Sequence, residues 1–234
     1  MSLLVDRIVA PFYQTNCWVI APRVGSECLI VDPGIELPTM VASLREKLAE
    51  HRLSLGAILI THGHLDHTFS LFPVSQDFAG ATSYIHQNDR DLLKNPERAL
   101  SAQSIPMFTE LREKFPETRI DEPENTFSLQ GGERLNMGEM NLEILHTPGH
   151  TPGSIVFSID GEVLVSGDTL FAGSIGRTDL PRGSISDMES SLREKIATLP
   201  PHLRVLPGHG HETRIERELK ENPFLRKAIE GRLA

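Results

Sequence analysis

The stretch Thr61-His62-Gly63-His64-Leu65-Asp66-His67 decides the fold. Three imidazoles and one carboxylate crowd into it. Just before it runs Leu55-Gly56-Ala57-Ile58-Leu59-Ile60, short, apolar and partly β-branched, which predicts a buried strand ending before the first histidine. A strand end is rigid and opens into a loop, so it can fix several ligands without holding them in one helical stripe. A mixed nitrogen and oxygen donor set of this kind suits zinc, and also accommodates iron or manganese.

Towards the N-terminus, strands are expected at Met1–Ala10, Cys17–Ile20 and Glu27–Val31, the last ending in the turn Asp32-Pro33-Gly34. Asp32 is either a carboxylate standing behind the site or a turn residue bonded to nearby backbone. Pro38 to Arg52 carries Met40, Val41, Leu44 and Leu48 at helical spacing. Strand, helix and strand in succession predict a parallel crossover into the Leu55–Ile60 strand.

Beyond His67, a helix is expected to start within Thr68–Val74, and a strand at Ala81–His86 with His86 in a structural role. Asn88 to Glu124 is polar and proline-punctuated, with one helix near Phe108–Phe115; surface packing is the expectation there. The second half repeats the habit of strand, then ligand. Asn141–Leu145 alternates and leads to Thr147-Pro148-Gly149-His150. Two strands flank the hairpin turn Asp160-Gly161, and the second ends at Ser166-Gly167-Asp168. A helix at Met188–Leu199 precedes a short strand, Leu203–Leu206, which leads to Pro207-Gly208-His209-Gly210. Arg214–Leu233 is helical with a break at Asn222-Pro223. No low-complexity linker separates the halves, so residues 1–234 are expected to form one domain. The recurrence of strands then helix predicts an α/β (α+β) arrangement of two sheets with helices on their outer faces.

Composition narrows the partners. A formal net charge of −9 argues against nucleic acid, whose phosphates need a basic surface. Cys17 and Cys28 are too few for a disulfide framework and sit in apolar surroundings, as small buried side chains do. The N-terminus lacks the basic-then-apolar pattern of a secretory signal, and no apolar run approaches a membrane span, so a cytoplasmic protein is expected.

His62, His64, Asp66, His67, His150, Asp168 and His209 make seven candidate metal ligands, more than one tetrahedral zinc uses. They suit two metals with a bridge. One arrangement places His62, His64 and His150 on the first, Asp66, His67 and His209 on the second, and Asp168 between them. Glycines such as Gly63 and Gly208 flank the ligands, where backbone must approach closely.

His62-x-His64-x-Asp66-His67, Thr147-Pro148-Gly149-His150-Thr151-Pro152-Gly153-Ser154, Gly167-Asp168-Thr169-Leu170-Phe171 and Pro207-Gly208-His209-Gly210 together resemble the metallo-β-lactamase-fold superfamily, and within it glyoxalase II and its relatives. The resemblance runs from Asn16 to about Leu225. It implies a four-layer αββα sandwich of two mixed sheets, the ligand partition above, and two divalent ions, zinc first, with iron or manganese at one site. It also implies hydrolysis of S-acyl (2-hydroxyacyl) thiol esters by a metal-bridging hydroxide, with Asp66 orienting the nucleophile. The thiolate leaving group needs no dedicated acid.

Two other reactions share the fold. Gly176-Arg177-Thr178-Asp179 resembles the persulfide dioxygenases, which would use one iron on His62, His150 and Asp168. The Pro207-Gly208-His209-Gly210 turn looks more like the dinuclear hydrolases. β-Lactam hydrolysis is disfavoured, since Asp168 stands where such enzymes usually carry cysteine. For the substrate, Arg177 could fill the place of a basic residue that larger glyoxalase II proteins carry after the bridging aspartate. Their later tyrosine is replaced by His211, and their long basic C-terminal region is not matched. Arg214, Arg217 and Lys220 are expected on a solvated helix face, with Arg217 and Glu221 paired. Modest glutathione selectivity is the expectation.

Overall fold

The computed structural model describes residues 2–234. Its first sheet holds β1 (Leu4–Val9), β2 (Asn16–Ala21), β3 (Glu27–Val31), β4 (Ser54–Leu59), β5 (Thr82–His86) and β6 (Thr126–Leu129), in that spatial order. β1, β2 and β3 pair antiparallel, and β3 to β6 run parallel. The second sheet holds β7 (Arg134–Met137), β8 (Met140–His146), β9 (Ile155–Ile159), β10 (Val163–Gly167), β11 (Arg204–Pro207) and β12 (Thr213–Arg214), also in spatial sequence. Only β10 and β11 pair parallel there.

The period of two along each strand builds three cores at once. Inward side chains such as Trp18, Ile20, Leu59, Phe157, Val163 and Val165 fill the space between the sheets. The alternate residues Val19, Ile30 and Ile58 face α1 (Val41–His51) and α3 (Leu71–Asp77). On the far side Val156, Leu164 and Val205 meet Met188 and Leu192 of α5 (Ile185–Glu194) and Leu225 of α7 (Pro223–Ile229). The result is the expected αββα sandwich. Strands covered on both faces read as continuous apolar runs, which is why β2 is buried along its whole length. Truncating a side chain such as Phe157 to alanine would cost about 3–5 kcal/mol.

The parallel crossover through α1 forms as predicted, and so does the Asp160-Gly161 hairpin, whose two residues both have positive φ. Cys17 and Cys28 are free and buried. Arg217 pairs with Glu221 at 3.0 Å. Other boundaries move. The strand expected at Met1–Ala10 is the shorter β1, and Met1 lies outside the described residues. The helix expected to start within Thr68–Val74 is α3, and a short additional turn, α2 (Leu65–Thr68), precedes it, so Asp66 and His67 sit on a helical turn rather than in a loop. The helix α4 (Ile105–Lys114) starts earlier than expected. Ser184 caps α5 through Asp187 N, and the expected Met188–Leu199 helix breaks into a 3₁₀ turn at Ile196–Thr198. Arg214 belongs to β12, and α6 (Ile215–Glu221) follows it. β6 and β7 are short and had no clear sequence signal. No helix among the described residues is long and apolar enough to cross a membrane.

Candidate metal centre

Parallel strands gather their carboxyl ends at one edge of a sheet, and loops leaving that edge converge. β3 leads directly into Asp32, and β4 and β5 lead within three residues to His62 and Asp89. From the second sheet β8 leads to His150, β10 to Asp168 and β11 to His209, all at the same edge of the sandwich.

The seven candidates meet there in two clusters. His62 Nε2 lies 3.1 Å from His64 Nδ1, which lies 2.8 Å from His150 Nε2. His67 Nε2 lies 3.2 Å from His209 Nε2, and Asp66 Oδ2 lies 3.5 Å and 3.3 Å from those two nitrogens. Asp168 stands between the clusters. Its Oδ1 is 3.5 Å from His67 Nε2, and its Oδ2 is 3.5 Å from both His150 Nε2 and His209 Nε2. The four histidines other than His209 are buried.

Each ring is held from behind. His150 donates Nδ1–H to the Arg177 carbonyl at 2.7 Å, and His209 donates Nδ1–H to the Tyr13 carbonyl at 3.0 Å. A carbonyl can only accept, so these contacts fix the tautomer and turn each Nε2 lone pair towards its cluster. Asp32 does the same for His67 at 2.9 Å, while Thr61 gives it two further bonds, at 2.8 Å from N and 2.6 Å from Oγ1. Asp32 is therefore a support for the site, one of its two expected roles.

The donor chemistry fits divalent cations. Asp168 Oδ1 is buried without a hydrogen-bond partner. In the first cluster burial, followed by mutual repulsion among the rings, pushes the pKa of His62 well below its ordinary value; His64 is lowered likewise, by burial first. These rings are neutral lone-pair donors. In the second cluster burial opposes charge on His67, yet Asp66, Asp168 and Asp32 push its pKa up to about 10. Burial would raise the Asp66 carboxyl, but His67 and His209 hold it below its ordinary range. That cluster is anionic enough to favour a cation at its centre. Gly208 is required by closeness: a Cβ there would lie 2.3 Å from Asp168 Oδ1 and 2.8 Å from His67 Cε1.

A model of the metallo-beta-lactamase superfamily matches residues 10–209. The chain belongs to that superfamily. It is 39% identical over 226 residues to an uncharacterised protein of Mycobacterium leprae, covering 95% of this chain and 99% of that one. It is 35% identical over 225 residues to the hydroxyacylglutathione hydrolase GloC of Haemophilus influenzae, covering 94% and 97%. Among solved structures, the B3 metallo-β-lactamase BLEG-1 aligns with a TM-score of 0.79 at 33% identity, covering 95% and 99%. The protein TTHA1623 in a di-iron-bound form aligns with a TM-score of 0.73 at 30% identity, covering 94% and 100%.

In this superfamily member the clusters floor a cleft of ≈ 440 Å³, walled by Ile35, Leu65, Leu100, Met107, Phe171 and Ile175. A larger hollow of ≈ 530 Å³ beside β7 and β8 carries no convergent ligand set, so chemistry rather than size marks the site. Arg177 also lines the cleft. Its guanidinium is exposed and paired with Asp179 at 2.8 Å and 2.7 Å. His86 is not in either cluster. It donates Nε2–H to the Gln130 carbonyl at 3.0 Å and stacks on His146 at 4.0 Å, the structural role expected.

Asp89 is the residue that the sequence reading missed. It is fully buried and accepts from Gly63 N at 2.9 Å, Gly153 N at 2.9 Å and Thr151 Oγ1 at 2.6 Å. It thus ties the His62–His64 loop to the turn after His150. Its signal was its place three residues past the end of the parallel strand β5, which an unaided sequence does not reveal.

Proposed function

We propose that the chain is a dinuclear metal-dependent hydrolase of thiol esters. The observation that carries this is Asp168, placed 3.5 Å from nitrogens of both clusters. His62, His64 and His150 would hold one divalent ion, Asp66, His67 and His209 a second, and Asp168 would reach both. Zinc suits the donors best, with iron or manganese accommodated at one site. When bound, the ions supply Lewis acidity towards the thioester carbonyl and lower the pKa of a water from about 15.7 to near 7.

The chain's own residues supply placement. Asp66 lies on the cleft floor, where its carboxylate accepts a hydrogen bond from the attacking water and orients it. Thr15 Oγ1 donates to Asp66 Oδ2 at 3.4 Å and steadies that carboxylate. Asp32, Tyr13 and Arg177 hold the imidazoles through the bonds described above. The apolar walls keep bulk water out. The departing thiolate has a pKa of about 8.5 and leaves without a general acid.

The name of the Haemophilus influenzae relative supports thiol esters as the substrate class. A mononuclear iron dioxygenase would leave Asp66, His67 and His209 without a task, so the second cluster favours the hydrolase. The substrate is a small molecule met in the cytoplasm, with no nucleic acid or membrane as partner. The test is metal analysis of purified protein, then assays on S-D-lactoylglutathione, neutral thioesters, a persulfide with oxygen uptake, and a β-lactam. Two equivalents of metal with thioester turnover is expected. Oxygen uptake with one firmly bound iron would replace this reading.

A further inference from the structure

The cleft does not end above the metal clusters. A second cavity of ≈ 180 Å³ opens beside it, and Tyr13, Ile35 and Met107 line both. Its remaining apolar walls are Phe12, Leu37, Leu111 and Phe115. Tyr13 OH donates to Met107 Sδ at 3.2 Å, so one contact between the β1–β2 loop and α4 stands between the two spaces.

This apolar surface is presented outward. Phe12, Tyr13 and Met107 are 44%, 51% and 41% exposed. Single exposed apolar side chains are ordinary, but a contiguous group beside a reactive cleft marks a binding surface. The loop that carries two of them is held in an unusual shape, with Tyr13 at φ 59° and Gln14 at φ 58°. It is tied to the chemistry as well, through the Tyr13 carbonyl on His209 and Thr15 on Asp66. Charge is sparse. Histidines aside, the cations lining the two cavities are Lys114, exposed at the annex beside Glu110, and Arg177, already paired with Asp179. A carrier with two carboxylates would find little to hold it there.

We infer that this annex is an apolar subsite, and that the preferred substrates are thiol esters bearing an apolar arm. The volume is that of roughly six waters, which corresponds to about four to six carbons. This rests on the thioester reading for the name of the substrate class. The annex itself is tested without turnover.

The probes are S-methyl, S-butyl and S-hexyl thioethers of N-acetylcysteamine, titrated into the metal-loaded protein by calorimetry. Burial of one methylene corresponds to roughly fourfold in affinity, so Kd should fall by about that factor per carbon. Phe12→Asp, at an exposed loop position, should flatten the series, and so should Leu111→Asn on α4. S-acetyl, S-butyryl and S-hexanoyl esters of the same thiol, against S-acetyl esters of longer thiols, show which arm enters the annex. Graded binding with no ester hydrolysed would leave the annex standing and remove the hydrolase reading. Hydrolysis of short esters with equal Kd across the thioethers, or a gradient untouched by both variants, would overturn the annex and leave the hydrolase reading intact.

Discussion

Asp89 Oδ2 accepts the backbone N–H of Gly63 at 2.9 Å, and so a carboxylate from one loop fixes the residue between two candidate ligands of another. A Cβ on Gly63 would lie 2.7 Å from Leu92 Cδ1 and 2.9 Å from the Asp89 carbonyl, which shows how closely the two loops are pressed together. The same carboxylate holds Thr151 and Gly153 beyond His150. Asp89→Ala leaves buried amides unpaired, at about 1–3 kcal/mol each. The expected outcome is a lower Tm and a 10–100-fold weaker metal affinity at the first cluster. Chelator competition measures this, and unchanged affinity at that cluster would show that Asp89 serves stability alone.

Asp168 and His209 should separate in their effects. Asp168 lies within reach of both clusters, so Asp168→Ala should weaken both metal equivalents. His209 touches only the second, and His209→Ala should retain about one equivalent. Elemental analysis after dialysis decides between these patterns. Equal loss from the two variants would contradict the partition.

Asp66→Asn keeps the shape of the carboxylate while removing its charge. Orientation of a nucleophile acts in the transition state, so kcat should fall at least about tenfold with KM little changed. Metal content is measured alongside. Full kcat with two metals bound would remove Asp66 from its assigned role.

Arg177 has two separable parts. Its carbonyl holds His150, and its guanidinium faces solvent beside Asp179. Arg177→Ala keeps the first and removes the second. Because the guanidinium is already paired with Asp179, KM should rise only about twofold for thioesters of acidic thiols and stay unchanged for neutral ones, by steady-state kinetics on matched substrates. A loss of kcat on both classes would point instead to a disturbed metal cluster.

His86 predicts a pH dependence of stability. Burial, then the neighbouring His146, lowers its pKa in the folded protein. Its neutral ring donates from Nε2 to Gln130 O and accepts Asn88 N at Nδ1 at 3.2 Å, a pairing that protonation would break. The unfolded chain, with a pKa of about 6.5, therefore binds the proton more readily. Stability is complete above that value and is lost as pH falls through it towards the lowered folded value. Denaturant unfolding of metal-free wild type and His86→Gln between about pH 7.5 and 5.5 should show a steeper decline for the wild type. Parallel curves would exclude His86 as the source.

The sequence alone determined the candidate ligands and the layers around them. Those candidates lie in short segments next to strands whose apolar periodicity is strong, and both features survive in one dimension. His62, His64, His150 and His209 were each legible from a strand followed by a turn. The tertiary structure decided what depends on approach between distant segments. Asp89 sits among polar residues with no local pattern, and its partners are 26 and 64 positions away. Asp32 offered two roles until His67 was brought within 2.9 Å of it. The apolar annex joins residues 12–13 to 107–115, and the periodicity of either segment carries no record of the other. Local propensity and spacing act along the chain, whereas hydrogen-bond partners and cavities come from packing across it.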